Sequence, residues 1–493
     1  YKAETHNFPT GVSPFPGAAT GSGGRIRDIL CVGLGGDIIA GTAGYCVGDI
    51  FNQNESDYSF LYNEPMGILI EASNGASDYG NKIGEPLIQG FTRSYKQNFK
   101  NGDRIEWLKP IMFSGGIGNI YQDNINKKTP EENDIIIRIG GPAYRIGMGG
   151  GSASSRTQNN ENSESDFDAV QRGDPLVANK LVHFLRQAIN LKLILSIHDQ
   201  GSGGMANVTR EICEDKGANV YLSEILLGDK TLTSLEKWVA EYQEQITFLT
   251  KKESLNSLYQ IAERENLSLV EVGTVNNSGK LQVYTDKTEK NIVIDLPTEQ
   301  KFSRKTYSIK DVEVRNDIDL NNLLNFVDYT LFYILEKVFS LVDVGSKQFL
   351  TNKVDRSVSG LIVQQQCIGP FHLPLSNLAA VKNSLSSDTM LVSAIGEQPI
   401  KGVCGEIEKM VSLTVGEMLT NIIWCYIGSI SNINSVANWM WASTNEEDGG
   451  LLNEAVNTLV RYSKYLGFSI NGGKDSLSMK VKNNLTEIKA PNT

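Results

Sequence analysis

ETHNFPTGVSPFPGAATGSGGRIRD, residues 4–28, packs a carboxylate, an imidazole, four glycines in eight positions and an Arg-Ile-Arg-Asp tail into one run. With Lys2 just ahead, positions 2, 4 and 6 of an extended segment face one way. Lys2, Glu4 and His6 can therefore converge on one ligand. His supplies a base near neutral pH, Lys a phosphate contact and Glu a hard oxygen for Mg²⁺. An exposed polar strand is the ordinary alternative. The second half of the run, Gly17, Ala18, Ala19, Thr20, Gly21, Ser22, Gly23, Gly24, Arg25, Ile26, Arg27 and Asp28, reads as a loop whose amides could wrap a phosphate. Arg27 could hold oxygens in a fork, and Asp28 could ligate a metal. It is neither a Walker A loop nor a placed GxGxxG fingerprint. A flexible glycine linker is the ordinary alternative, although linkers do not usually end in a strand-like Arg-Ile-Arg-Asp.

Further along the chain, 71–86 forms a second polar, glycine-rich cluster, and Ile135–Ile137 before Gly140-Gly141-Pro142 reads as a buried strand ending at a turn. Residues 158–166 are a polar loop. Helical spacing from Leu181 to Ile189 is followed by a strand at Leu193–Ile197, which runs into His198-Asp199-Gln200-Gly201-Ser202-Gly203-Gly204 and a helix from Asn207. Strand, glycine loop and helix start present backbone N–H groups to an anion. Leu267–Val275 and Leu281–Tyr284, joined by NNSG, read as a hairpin. Residues 286–320 are charged and weakly periodic. An amphipathic helix follows, with Leu323, Leu324, Val327, Leu331, Leu335 and Val338, and a later helix spans about Ile407–Tyr426. The expected domains are 1–133, 134–300, a connector at 301–345, and 346–493.

The chain has 493 residues, room for about three domains of ~150 each. It is 40% hydrophobic and 21% charged, with a net charge of −11. That balance argues against a general nucleic-acid or membrane-surface binder, which needs a basic field. No run reads as a membrane span or a signal peptide. The six Cys show no CxxC pair, as expected of a reduced cytosolic protein. The chain opens at Tyr1 within a motif, so it reads as an excerpt of a longer polypeptide.

Other runs carry possible chemistry. GMGGGSASS (147–155) and FDAVQRGDP (167–175) could each be a turn with helix caps. His198-Asp199 has no GxSxG elbow, and adjacent strand residues point apart, so Asp199 suits a Mg²⁺ ligand better than a hydrolase dyad. Asn352-Lys353-Val354-Asp355-Arg356 adds charge. Glu417 and Asn421, four apart on a helix, share a face and suit Mg²⁺, or are a surface pair. Gly472-Gly473-Lys474-Asp475-Ser476 is a further glycine turn with a cation, a carboxylate and a hydroxyl.

The 4–28 run resembles the large, single-chain type of phosphoribosylformylglycinamidine synthase, in the superfamily of aminoimidazole ribonucleotide synthetase. The resemblance continues through EASNGASDYGNKIGEP (71–86), IMFSGGIG (111–118), GGPAYRIGMGGGSASS (140–155), FDAVQRGDP, IHDQGSGG (197–204), AEYQE (240–244), FLTNKVDRSVSGL (349–361), QQQCIGP (364–370), GEMLTN (416–421), NWMWA (438–442) and GGKDSLSM (472–479). It is weakest at 286–345. It implies an α/β (α+β) fold of paired synthetase domains in a pseudo-twofold arrangement, with mixed sheets flanked by helices. The implied reaction converts formylglycinamide ribonucleotide to the amidine with ATP, Mg²⁺ and ammonia, the ammonia coming from a glutaminase domain absent from this chain. A non-catalytic scaffold part of the same enzyme, or another kinase or synthetase of the superfamily, is the competing reading.

By matching motifs, the resemblance implies His6 as proton acceptor. Lys2, the 17–28 run and Ser376 would bind ATP. Glu4, Asp28 and Asp199 would hold Mg²⁺. Thr5, Asn7, Phe8, Arg27, Gln171, Glu241, Tyr242, Gln243, Lys474 and Ser476 would line the substrate. Family members carry a second nucleotide site, whose Mg²⁺ ligands would be Glu417, Asn421 and position 377. Asn377 stands where Asp is expected, and a neutral amide is the weaker ligand.

Overall fold

The computed structural model describes residues 1–51, 58–158, 163–242, 244–288, 291–299, 310, 329–351, 356–373, 375–403, 405–443, 445–483 and 486–493. Strands β1 (Lys2–Thr5), β2 (Asp37–Val47), β3 (Leu87–Ser94), β4 (Lys96–Asn98), β5 (Arg104–Glu106) and β6 (Ile111–Asn119) come first. Four of them form a mixed sheet in the order β1-β6-β2-β3, with β2 parallel to β3 and antiparallel to β6. Helices α1 (Asn7–Val12), α2 (Pro14–Leu30) and α3 (Pro65–Ile83) accompany it.

Here the structure departs from the sequence reading. Residues 17–28 are helix α2, and the 71–86 cluster lies largely in α3. Pro14 at the first helical position is preorganised for the start. Each helical glycine costs about 0.5–1 kcal/mol relative to alanine, a cost offset by close packing. A Cβ on Gly17 would lie 2.5 Å from the Pro9 carbonyl carbon, one on Gly23 would lie 2.6 Å from the Tyr79 ring, and one on Gly75 would lie 2.2 Å from the Phe15 oxygen. The glycines let α1, α2 and α3 touch.

The second body holds a seven-stranded sheet. Its strands are β7 (Ile135–Gly140), β8 (Ser196–Asp199), β9 (Gly217–Tyr221), β10 (Gln245–Thr250), β11 (Ser268–Val275), β12 (Lys280–Tyr284) and β13 (Ile292–Pro297), in the order β13-β12-β9-β11-β7-β10-β8. β7 is buried on both faces. Ile135, Ile137 and Ile139 pack with Leu181, Phe184, Leu185 and Leu258 on one side, while Ile136 packs with Met205, Val208, Ile212 and Trp238 on the other. Helices α4 (Gly150–Ser154), α5 (Ser163–Ala169), α6 (Pro175–Asn190), α7 (Gly204–Cys213), α8 (Ser234–Val239) and α9 (Leu255–Arg264) surround this sheet. Asp174 caps α6 by accepting from the Leu176 and Val177 amides. The described end of the 158–166 loop is helical, as part of α5.

β11 and β12 do not form the expected hairpin. β9 lies between them, antiparallel to β11 and parallel to β12. Ala218 and Val220 of β9 are buried and join Val272, Val275, Leu281 and Val283 in one cluster. That burial requires a neighbour on each side, which outweighs the short NNSG link.

The third body contains β14 (Ile362–Gln364), β15 (Leu378–Lys382) and β16 (Met390–Ala394) in one sheet, and the parallel pair β17 (Asn434–Met440) and β18 (Ser469–Ser476). Helices Ile407–Ile422 and Glu446–Leu466 pack on each other. β19 (Lys480–Asn483) and β20 (Thr486–Lys489) complete a sheet with β5 and β4, ordered β19-β20-β5-β4. The first and third bodies thus share a sheet. They also share a core that joins Ala3, Trp107 and Ile111 to Met440 and Met479. Most of the expected 301–345 connector, including Leu323, Leu324 and Val327, lies outside the described residues, as do Asn352–Asp355 and Gln243. Leu331–Ser340 is a helix with exposed apolar residues. No helix among the described residues is long and apolar enough to cross a membrane.

Candidate active site

β1 ends at Thr5, and His6 caps α1, so His6 turns off the strand instead of continuing its face. Its Nδ1 lies 2.8 Å from the Gly17 carbonyl oxygen. A carbonyl only accepts, so Nδ1 carries the hydrogen and Nε2 keeps its lone pair. Burial against Gly21 and Met112 lowers the His6 pKa to about 4, against the opposing pull of Glu4, so the ring is neutral at pH 7.

Charged groups from four elements gather near it. Lys2 Nζ is 3.0 Å from Asp28, and Lys474 Nζ of β18 is 3.1 Å from Glu4. Asp28 faces Asp199 at the end of β8. Burial first, then the Asp199 charge, push Asp28 up to about 6 in spite of Lys2. Burial opposes ionisation of Asp199 as well, but His198, Arg27 and Lys2 hold its pKa below the usual value. The adjacent His198 and Asp199 side chains do not point apart as expected. His198 Nδ1 lies 3.3 Å from the Asp199 carboxylate, and its Nε2 pairs with Glu211. Burial disfavours the imidazolium, but the two carboxylates outweigh it and raise His198 to about 10.

Other expected site residues are turned to structural work. Gly17–Asp28 cannot cradle a phosphate through its amides, because those amides belong to a helix; the Gly17 N–H already donates to Ser13 at 2.8 Å. Ala18, Ala19, Thr20, Ser22 and Ile26 are buried. Arg25 is fully buried in a forked pair with Glu85. Arg27 is buried against Glu244 at 2.6 Å, which raises its pKa despite burial. Phe8 sits in an apolar cluster with Val12, Ala153, Ala169 and Val170. Asn7 accepts from the Met112 amide and donates to the sulfurs of Met440 and Met479. Its amide bridges the first and third bodies. Thr5 donates its amide to Glu4.

Glu241 gathers two glycine loops. It accepts from the Gly151 amide at 3.1 Å, the Gly203 amide at 3.4 Å and the Gln171 side chain. Burial raises its pKa. Tyr242 is buried, with its hydroxyl donating to the Glu236 carbonyl.

Among the described residues no three His, Cys, Asp or Glu side chains form a ready set of metal ligands. In the first site lysines pair with both Glu4 and Asp28. At the second expected site, Glu417 accepts from the Glu397 amide and Gln398 Nε2, and Asn421 donates to the Ile395 carbonyl. Asn377 is exposed, its carbonyl accepting from Gln89 at 2.6 Å. Ser376 Oγ donates to the Leu378 carbonyl and accepts from Gln364. The Ser476 carbonyl accepts from the Trp441 amide. A cavity of about 480 Å³ opens beside this region, lined by Phe91, Phe113, Glu397 and β17, away from the carboxylates around His6.

Glu244, Glu211 and Lys109 are not among the residues the sequence marks as functional. Glu244 is legible in AEYQE, because a buried arginine requires a carboxylate. Nothing in the sequence pointed to Glu211.

Residues 131–286 match the model of the AIR synthase related protein, C-terminal domain, and residues 346–493 match that of the FGAR-AT PurM_N-like domain. The phosphoribosylformylglycinamidine synthase of Dictyostelium discoideum is 44% identical over 98% of this chain, and that of Homo sapiens 41% identical over 100%. The chain spans 37% and 38% of those relatives, little more than a third. Among solved structures, PurLQS from Thermotoga maritima aligns over 100% of this chain and 70% of its own, with a TM-score of 0.72 at 18% identity. T. maritima PurL complexed with FGAR aligns over 97% of this chain and 69% of its own, with a TM-score of 0.67 at 18% identity. At that identity the likeness is one of fold.

Proposed function

We infer the role of this chain from its membership of the phosphoribosylformylglycinamidine synthase family, of which it is a segment. It is the synthetase part of a longer enzyme that converts formylglycinamide ribonucleotide to the amidine with ATP. Expected boundaries remain 1–133, 134–300 and 346–493, joined by 301–345. The observation that carries the reading is a chain of charges beside a neutral His6: Glu4 and Lys474 act on the ring, and Glu4 leads on to Asp28, Lys2 and Asp199.

Phosphoryl transfer relies on positioned cations and carboxylates more than on a protein nucleophile. The amide oxygen of the substrate attacks the terminal phosphorus of ATP and ADP departs. Ammonia then adds to the activated carbon and phosphate leaves with the former amide oxygen. Ammonia becomes cationic as it adds, and such a nitrogen is acidic enough to give its proton to a weak base. His6 Nε2, with its lone pair free, is that base. Lys2 and Lys474 neutralise phosphate charge.

Mg²⁺ fits this site. Asp28 and Asp199 are two oxygen donors; burial first and then their mutual repulsion raise the Asp28 pKa, and a cation relieves that repulsion. Mg²⁺ needs only one or two carboxylates beside substrate phosphates and water. Asp28 and Asp199 would hold it, with Glu4 joining once Lys474 turns to a phosphate. Bound there, it would neutralise charge on the transferring phosphoryl group. Glu417 and Asn421, with the neutral Asn377, would make a weaker second site. Nitrogen would come from a glutaminase elsewhere in the longer enzyme, and the unpaired described cysteines suit a cytosolic setting.

His6→Ala in the full-length enzyme, supplied with ammonium chloride, should lower kcat by about 10²–10⁴-fold, the usual worth of a positioned base. Unchanged turnover removes His6 from the chemistry.

A further inference from the structure

Lys109 lies between β5 and β6 and is 1% exposed. Its Nζ reaches four oxygens: Ser154 O at 2.9 Å, Arg156 O at 3.3 Å, Ser478 O at 3.1 Å and Ser478 Oγ at 2.9 Å. Among the described residues, no carboxylate is one of its hydrogen-bond partners. The Phe8 ring lies 6.0 Å away. Burial presses the Lys109 pKa down to about 7, yet a cage of carbonyl and hydroxyl oxygens favours the ammonium form.

Those oxygens belong to distant segments. Ser154 ends α4 and Arg156 follows it, whereas Ser478 lies in the turn from β18 to β19. Ser478 Oγ also donates to Ser154 at 3.0 Å, and Gln158 exchanges backbone hydrogen bonds with Lys480 and Lys482. At its other end α4 is held by Glu241, which takes the Gly151 amide and Gln171. Ala153, in the middle of α4, packs on Phe8 beside His6. The α4 segment therefore touches Glu241 at its start and, at Ala153, Phe8, two residues from the base in sequence, and Lys109 fastens its exit.

We propose that Lys109 is a positioning residue. Its ammonium pins the end of α4 to the β18–β19 turn, holding the Glu241–Gln171 wall in register with His6 and Lys474. The inference rests on the functional reading above, in which these groups line the substrate. Met in place of lysine keeps the length but takes from the Arg156 carbonyl its charged donor and leaves the Ser154 carbonyl with Ser478 Oγ alone, and a small displacement of such a wall costs binding.

The test uses the full-length enzyme with ammonium chloride as nitrogen donor. In Lys109→Met, KM for formylglycinamide ribonucleotide should rise about ten- to a hundredfold while kcat stays within about threefold. Amide hydrogen exchange should quicken at 150–158 and 476–482 but not in α6. Ser478→Ala should shift both readouts the same way by less, and add little when combined with Lys109→Met. Unchanged KM with unchanged exchange in those segments overturns the proposal, as does an equal loss in every element. If Lys109→Met does not fold, Ser478→Ala decides alone: wild-type exchange at 150–158 overturns it. A wild type without turnover, combined with the expected exchange pattern, sinks the functional reading and leaves the anchor standing.

Discussion

Asp28, proposed above as a metal ligand, sits in the fold at a cost to stability. Its carboxyl is raised from 3.8 to about 6 by burial and by Asp199. A raised folded-state pKa means that the folded chain binds the proton more tightly than the unfolded chain. Stability therefore falls as pH rises from about 4 to 6, and above 6 the full penalty stands. Asp28→Asn should make the ligand-free enzyme about 1–2 kcal/mol more stable near neutral pH, a gain that fades toward pH ~4, while ATP-dependent turnover is lost. Denaturant melts at both pH values check this, and a variant equally destabilised at each contradicts it. The Asp28–Asp199 meeting was half legible. Each carboxylate stood out beside its glycines, but their 171-residue separation in sequence hid the contact.

At the level of elements, the glycines of α2 and α3 separate two physical roles. Gly17 meets backbone, whereas Gly67 in α3 has nothing within 4 Å of an added Cβ. Gly67→Ala should raise stability by about 0.5–1 kcal/mol through helix propensity. Gly17→Ala should lower it by at least about 1–3 kcal/mol, because α1 must move away. Paired thermal melts test this, and the same sign for both substitutions would refute it. A glycine run in sequence has no way of showing which neighbour it admits. That is why α2 reads as a phosphate loop until its packing is seen. The β11–β12 hairpin fails for a related reason. The turn residues describe a short link, but β9 enters between the strands and its Ala218 and Val220 are buried with residues of both. By contrast, β7 and α6 were legible, since an unbroken isoleucine run and helical spacing are local patterns that burial on both sides only reinforces.

Across the whole molecule, the first and third bodies are fastened by polar contacts as well as by the shared sheet. Arg93 of β3 pairs with Glu397 at 2.6 Å and with Asp343 at 2.9 Å. Burial, the larger effect, lifts Glu397 to about 7 even with Arg93 beside it. Arg93→Ala leaves that buried carboxyl without its cation and should cost about 2–4 kcal/mol. Limited proteolysis of the full-length variant should then cut first around 383–398. A wild-type cleavage order would show that the shared sheet alone holds the bodies together.

The sequence by itself carried the family resemblance, the α/β character, the central strand of the second body and the identity of His6, Lys2, Asp28 and Asp199 as groups worth bringing together. Each is carried by residue order or by a local periodicity that survives without neighbours. Only the tertiary structure decided that the glycine run is a helix, that Asn7 and Phe8 are packing residues, that His198 touches Asp199, and that Lys109 ties three segments. Those outcomes depend on which surfaces are buried together, and burial is settled by contacts between elements, many of them far apart in the chain, where no local pattern reaches.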